Sequence, residues 1–104
     1  MEETIKVNWS FTALEMLYEI HEYLSEYSDS TADNYVDELY EYTERLKQLP
    51  EMCASCRNPK LNEKGYRCCT FKNHIIIYER RDKEVDILGI IHASRNPDDF
   101  EEMI

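Results

Sequence analysis

The sequence predicts an α+β fold with the order β-α-α-β-β-β, in which a two-helix hairpin packs on a mostly antiparallel four-stranded sheet. Two long segments carry apolar residues at helical spacing, and a short alternating segment precedes them. Three segments rich in β-branched and aromatic residues follow. A chain of 104 residues suits one modest core. We therefore expect residues 1–104 to form a single domain.

The first elements are a strand and a helix that follows it directly. Ile5, Val7 and Trp9 alternate with polar residues, which is typical of a strand. Ser10 offers a helix N-cap, and apolar residues then recur at steps of three and four along one helical face. Those residues are Ala13, Leu17, Ile20, Leu24 and Tyr27.

A second helix is expected after a short break at Asp29-Ser30, with Ser30 or Thr31 as its N-cap and Pro50 as its end. Two helices joined by so short a break predict an antiparallel hairpin. The apolar face of the second helix comprises Ala32, Tyr35, Leu39, Tyr42, Leu46 and Leu49.

The second half of the chain predicts a loop followed by a three-stranded meander. Pro59 and Asn62 interrupt residues 51–64, which we expect to be a loop. Strands are predicted at 66–71, 74–81 and 85–92, with a short helical turn within 98–104. We expect these residues to be largely buried: Trp9, Leu14, Leu17, Leu24, Leu39, Leu46, Ile75 and Ile77.

Charge is distributed unevenly along the chain, whose net charge is −10. Residues 1–56 hold 3 basic and 13 acidic residues, whereas residues 57–97 hold 9 basic and 5 acidic residues. The simpler interpretation is that the two halves form solvated faces of opposite charge. The functional interpretation is that only the second half could face a polyanion.

The sequence favours a cytoplasmic location. No apolar run approaches the roughly 18 residues needed to span a bilayer. The acidic start Met1-Glu2-Glu3 lacks the layout of a signal peptide. In the cytoplasm cysteines stay mostly reduced.

Several motifs resemble, in order and spacing, those of the RelE/ParE toxin superfamily, which includes plasmid stabilisation toxins. The resemblance covers nearly the whole chain. It is carried by Val7-Asn8-Trp9-Ser10 with Ala13, by Leu46 to Pro50, by Gly65-Tyr66-Arg67, by Ile75 to Tyr78, and by Ile87 to His92 with Ala93-Ser94-Arg95.

The resemblance implies a toxin of a type II toxin–antitoxin pair that a cognate antitoxin silences. ParE-like members act on DNA gyrase, and RelE-like members cut messenger RNA in the ribosome, often with a tyrosine or histidine near the C-terminus. This chain has Phe100 but no tyrosine after Arg95, and it is acidic, whereas RNA binding favours basic proteins. The ParE-like interpretation is therefore preferred. The RelE-like ribonuclease and a non-toxic family member remain alternatives, so enzymatic activity stays open.

Candidate site residues cluster in the basic half. With a two-residue break at Lys72-Asn73, Arg67 lies opposite Tyr78, and we expect both to share a sheet face with His74 and Arg80. Arginine can hold a phosphate, and histidine or tyrosine can move a proton. The catalytic candidates are Arg67, His74, Tyr78, Arg80 and His92, and the target-binding candidates are Arg67, Tyr78, Arg80 and Arg95, with the arginines expected to be exposed.

The alternative for this face is structural. Ile76, Ile87 and Ile91 are expected to share it, so that Tyr78 would be a core residue with its hydroxyl at the rim. The arginines would then pair with Glu79 or Asp86. His92 would be a structural hydrogen-bonding group.

Four cysteines form a C-x-x-C, Cys53 to Cys56, and an adjacent pair, Cys68-Cys69. A zinc ribbon needs two C-x-x-C knuckles, and neighbouring strand residues face opposite sides. We therefore expect reduced thiols, no metal and no cofactor. The expected partners are a cognate antitoxin and either DNA gyrase or the ribosome, with no membrane.

Overall fold

The computed structural model describes residues 5–100, which form a two-helix hairpin packed on a four-stranded mixed sheet. The strands are β1 (Lys6–Trp9), β2 (Arg67–Phe71), β3 (His74–Arg80) and β4 (Glu84–His92). Their order in the sheet is β1-β4-β3-β2. β1 pairs with β4 in parallel, and the other two pairings are antiparallel. The predicted α+β class and element order are confirmed.

The hairpin consists of α1 (Phe11–Ser25) and α2 (Asp29–Glu44). Ser10 caps α1 as predicted, because its side chain accepts a hydrogen bond from the Ala13 N–H. Its hydroxyl also donates to the Leu88 carbonyl, which ties the start of the helix to β4. The N-cap of α2 is Ser28, not Ser30 or Thr31 as expected. The reason is that α1 ends at Ser25, before the expected break at Asp29-Ser30, so that α2 already starts at Asp29.

The second helix, expected to end at Pro50, is α-helical only to Glu44, and a 3-10 turn (Arg45–Lys47) continues it. The predicted loop at 51–64 contains a short helix, α3 (Pro59–Glu63), with Asn58 as its N-cap. Pro59 was expected to interrupt structure, but at the first helical position it needs no N–H partner and favours helix initiation.

The β3–β4 ladder contains a bulge. Ile77 pairs with Gly89, whereas Tyr78 pairs with Ile87, so Leu88 is an extra residue on β4. The expectation that Ile91 shares a face with Ile87 is therefore wrong. Beyond the bulge Ile91 packs with the cluster on the other side of the sheet.

Buried side chains form two clusters, one on each side of the sheet. The helix-side cluster includes Leu39, Leu46, Ile76, Tyr78 and Ile87. The opposite cluster consists of Cys56, Leu61, Ile77, Ile91 and Phe100. The 3-10 turn Pro97–Asp99 brings Phe100 into the second cluster. The end of the helical turn expected within 98–104 lies outside the described residues.

The expected core is confirmed in part. Leu39, Leu46 and Ile77 are fully buried, and Trp9, Leu17, Leu24 and Ile75 are half-buried. The predicted burial of Leu14 is wrong, because this residue is 49% exposed. It lies one position after Ala13, which occupies the sheet-facing side of α1 with no exposure, so Leu14 turns outward.

Among residues 5–100, none of the helices has the length and apolar character that crossing a membrane requires.

Candidate functional site

Arg67 and Tyr78 lie directly opposite each other on β2 and β3, as the predicted register requires. Tyr78 has no exposed surface, and its hydroxyl donates to the Pro50 carbonyl at 2.9 Å. Burial raises the pKa of this phenol. Tyr78 is thus a core residue with its hydroxyl bonded to the segment that follows α2.

Arg67 is half-buried rather than exposed as expected. Its Nη1 donates to the Cys53 carbonyl at 2.7 Å. The same segment therefore holds both members of the Arg67–Tyr78 pair. Neither side chain is positioned for chemistry on an external substrate while residues 50–53 cover them.

Arg80 is exposed at the far end of β3, where its Nε lies 3.7 Å from a carboxylate oxygen of Glu51. The expected partners Glu79 and Asp86 instead bind Arg81, at 3.2 Å and 2.9 Å. His74 begins β3 and Arg80 ends it. A strand rises about 3.3 Å per residue, so the two lie roughly 20 Å apart. The candidates therefore fall into two groups, not one.

The second group lies in a groove between α1 and the end of β4. The groove has a volume of about 650 Å³. Its floor and walls include Met16, Ile20 and Ile90, and its polar end is formed by Tyr35, Asn73, His74, His92 and Arg95. His74 and His92 are cross-strand partners, with ring centroids 5.3 Å apart. The bulge at Leu88 shifts β4 so that His92 shares the helix side with His74.

Both imidazoles are oriented by hydrogen bonds. His74 Nδ1 lies 2.6 Å from the Tyr35 hydroxyl. The Ser94 N–H donates to His92 Nδ1 at 3.1 Å, so a neutral His92 ring carries its proton on Nε2. Burial, followed by the nearby His92, lowers the pKa of His74. The lowered pKa favours the neutral form of His74, and a neutral His92 presents its Nε2–H at the exposed rim.

This polar end offers groups for proton transfer and anion contact. A neutral imidazole can accept a proton, and a guanidinium can contact a phosphate or carboxylate. Glu15 and Glu19 on α1 also line the groove and oppose an anion there. Nothing in the sequence indicated Tyr35 as a partner of His74, because it lies on the apolar stripe of α2, 39 positions away.

The cysteines differ from the expectation of reduced thiols. Disulfides join Cys53 to Cys69 and Cys56 to Cys68. Residues 54–56 run beside the start of β2, since Cys68 N–H donates to the Ala54 carbonyl and Cys56 N–H donates to the Tyr66 carbonyl. That pairing brings each C-x-x-C thiol next to one thiol of the adjacent pair. The expected absence of zinc stays a prediction.

Comparison with known families identifies the chain. The family model of the ParE toxin of the type II toxin-antitoxin system parDE matches residues 7–97. This chain belongs to the ParE toxin family. The matched span contains both groups of candidate residues. The resemblance to the RelE/ParE superfamily is thereby confirmed and narrowed to ParE.

A solved structure supports the ParE fold. A chain described as the chromosomal ParDE TA system from P. aeruginosa matches with a TM-score of 0.73 and 20% sequence identity. The match covers 89% of this chain and 100% of that chain. At this identity the likeness shows the fold. No curated protein sequence matches significantly.

Proposed function

We propose that this chain is the toxin of a type II toxin–antitoxin pair, that it acts by binding a protein target such as DNA gyrase, and that a cognate antitoxin neutralises it. The observation that carries the proposal is the ParE family match over residues 7–97. The partner follows from the ParDE system to which the solved match belongs.

The side chains also argue against catalysis at the Arg67–Tyr78 pair. Tyr78 is fully buried, and the Arg67 guanidinium binds a backbone carbonyl. The net charge of −10 opposes docking onto ribosomal RNA, for which phosphate neutralisation supplies much of the affinity.

The proposal is tested by inducible expression in bacteria. Expression of the chain alone is expected to arrest growth, and co-expression of the small open reading frame beside its gene is expected to restore growth. Growth that continues normally at a verified level of soluble protein would remove the proposal and favour the non-toxic alternative.

Of the predicted target-binding residues Arg67, Tyr78, Arg80 and Arg95, the two exposed arginines, Arg80 and Arg95, are the proposed target contacts, because Tyr78 is buried and Arg67 is covered. Arg80 and Arg95 are exposed and therefore test this directly, because exposed charges contribute only about 0–1 kcal/mol to folding. Arg80→Ala and Arg95→Ala are expected to reduce toxicity without changing stability. Lys60→Ala, at an exposed position of α3, is the matched control. Full toxicity of the Arg80→Ala/Arg95→Ala variant would dismiss both positions.

One observation favours the ribonuclease alternative: His74, His92, Tyr35 and Arg95 line one groove. If they catalyse RNA cleavage, His74→Gln and His92→Gln should each slow ribosome-dependent cutting by about 10²–10⁴-fold, the usual contribution of one general acid or base. Under the ParE-like proposal no such cuts appear in the wild type.

A further inference from the structure

Residues 50–56, which we call the cover segment, are held on the sheet mainly by covalent bonds. Their polar contacts include the bonds to Arg67 and Tyr78 described above and two backbone hydrogen bonds to the start of β2. Met52 is half-buried against the helix-side cluster, but residues 54 and 55 are exposed. A surface segment with such contacts opens locally at a small cost in free energy. The two disulfides are therefore the strongest restraint on the cover segment.

Each disulfide joins one buried cysteine to one that solvent can reach. Cys56 and Cys69 are 1% exposed, whereas their partners Cys68 and Cys53 are half-buried. A thiolate cleaves a disulfide by attack on one of its sulfurs, at a rate that depends on access to that sulfur. Attack is therefore directed to Cys68 in one bond and to Cys53 in the other.

Cys68 also lines a cavity on the side of the sheet opposite the hairpin. The cavity has a volume of about 410 Å³, and its walls include Leu61, Ile77 and Ile91. Arg57 lines the same cavity. A nearby cation favours the thiolate form of a thiol, which is the attacking form. The cavity therefore gives a low-molecular-weight thiol a route to the Cys56–Cys68 bond.

We propose that the two disulfides are a thiol–disulfide exchange site, and that their reduction by a low-molecular-weight thiol frees the cover segment and exposes Arg67. A reductant thiolate attacks Cys68 Sγ, the S–S bond breaks, and Cys56 leaves as a thiolate that takes up the proton of the reductant. A second reductant thiolate attacks the reductant sulfur of the mixed disulfide, and Cys68 leaves and takes up the second proton. Two reductant thiols are thereby oxidised to one disulfide, and two cysteines are reduced.

The Cys53–Cys69 bond is reduced by the same steps, with Cys53 as the attacked residue. The Tyr42 hydroxyl lies 3.8 Å from Cys53 Sγ, and the Arg67 guanidinium binds the Cys53 carbonyl. Both groups favour a Cys53 thiolate when it leaves in the second step. Because Cys53 packs on the hairpin side, away from the cavity, this bond is reduced after the Cys56–Cys68 bond.

Reduction changes the charged surface beside a proposed target contact. Arg67 lies opposite Tyr78, and Arg80 is two positions further along β3, so the three side chains share one face of the sheet. Once the Cys53 carbonyl moves away, Arg67 presents a second guanidinium next to Arg80. This consequence for target binding rests on the proposed function, whereas the exchange itself does not.

The test compares the oxidised chain with the same chain after treatment with dithiothreitol. Reaction with phenylglyoxal, an arginine reagent, followed by peptide mass spectrometry measures the accessibility of Arg67. Its labelling is expected to rise about tenfold or more on reduction, because the covalent restraint on local opening is lost. Arg81 and Arg95, which are exposed in the oxidised chain, are internal controls and should change less than about twofold.

A variant and a time course control for the reductant and for its route. The variant with serine at all four cysteine positions lacks both bonds, so its Arg67 should react equally fast with and without dithiothreitol. In the wild type, alkylation after brief reduction should label Cys56 and Cys68 before Cys53 and Cys69. Labelling in the reverse order would overturn the cavity as the route of entry.

Backbone amide exchange shows whether the opening is local. The amides of Cys56 and Cys68, which donate to the Tyr66 and Ala54 carbonyls, should lose protection on reduction. Amides of the β3–β4 ladder should keep theirs. Loss of protection throughout that ladder would overturn the proposal, because the bonds would then hold the whole fold. An unreactive Arg67 in the reduced chain would overturn it too, as would disulfides that resist dithiothreitol in the folded protein.

Inhibition of DNA gyrase separates this inference from the proposed function. After removal of the reductant, the reduced wild type should inhibit supercoiling more strongly than the oxidised chain, and Arg67→Ala should show no such gain. Equal inhibition by both forms, with Arg67 exposed in one, would overturn the consequence for target binding and leave the toxin assignment intact. Lack of inhibition by either form would remove the gyrase target, while increased labelling of Arg67 would still support the exchange site.

Discussion

Cys68 and Cys69 are neighbours on β2, yet their disulfides lie on opposite sides of the sheet. Cys69 and its partner Cys53 pack with the helix-side cluster, whereas Cys68 and its partner Cys56 pack with the opposite cluster. Alternation of side chains along a strand produces this division. The segment 53–56 is thus fastened to β2 from both sides, beside the covered Arg67–Tyr78 pair.

The first prediction concerns these bonds. Peptide mapping of the oxidised protein without reductant should recover Cys53–Cys69 and Cys56–Cys68. Cys53→Ser/Cys69→Ser should lower the free energy of unfolding by less than about 3 kcal/mol, the value typical of a lone bond that closes about 15 residues. The loss is smaller because the nested Cys56–Cys68 bond still closes most of the same loop. Chemical denaturation measures both proteins, and added reductant, the control, should abolish the difference in stability between the wild type and the variant. Recovery of a Cys53–Cys56 peptide as the main product would contradict the pairing.

Burial on the hairpin gives the second prediction. Leu39 has no exposed surface, whereas Leu14 is 49% exposed. Leu39→Ala should destabilise the protein by about 2–5 kcal/mol through lost burial and a cavity. Leu14→Ala, the matched control, should cost under about 1 kcal/mol. Equal losses in urea denaturation would show that the hairpin packs differently.

Gly89 and Phe100 give the third prediction. A Cβ on Gly89 would lie 2.4 Å from the Phe100 ring. Gly89→Ala should therefore cost about 1–3 kcal/mol by overpacking. In a Phe100→Leu background the same substitution should cost less, because the smaller side chain leaves room. Additive losses in the double-mutant cycle would show that the two residues do not contact each other.

The fourth prediction follows from the lowered pKa of His74, which burial and then His92 produce. The unfolded imidazole has a pKa of about 6.5, so below that pH the unfolded state binds more protons and stability is lost as the pH falls. His74→Gln should reduce this loss. Melting temperatures at pH 7.5 and 5.0 measure it, with His21→Gln as the control. Identical pH dependence in wild type and His74→Gln would refute the assignment.

Much of the fold could be predicted because local signals and tertiary packing agree. The apolar periodicity of α1 and α2, the Ser10 cap and the two-residue break at Lys72-Asn73 are all local features. The break fixed the Arg67–Tyr78 pairing correctly, and the aromatic-rich segments gave the correct strands. Exposed Leu14 shows the limit of this approach, since an apolar residue on the margin of a helical stripe can face solvent.

The site was less predictable, because non-local contacts decide it. The extra residue Leu88 reverses the faces of the last residues of β4 and brings His92 beside His74. Its neighbour Gly89 could have indicated a bulge. The carbonyl of Cys53 covers Arg67, and a disulfide joins Cys53 to Cys69. The even number of cysteines permitted such a bond, but the expected cytoplasmic location argued against it. The sequence alone could not rank these pairings.

The proposed action of this ParE-family chain on a protein target is tested by a supercoiling assay with purified DNA gyrase. We expect the wild-type chain to inhibit gyrase-dependent supercoiling of a plasmid, the antitoxin to relieve the inhibition, and Arg80→Ala/Arg95→Ala to inhibit less than Lys60→Ala. Gyrase activity that is unaffected by the chain, together with ribosome-dependent cleavage of messenger RNA that is lost in His74→Gln, would show instead that the chain is a ribonuclease.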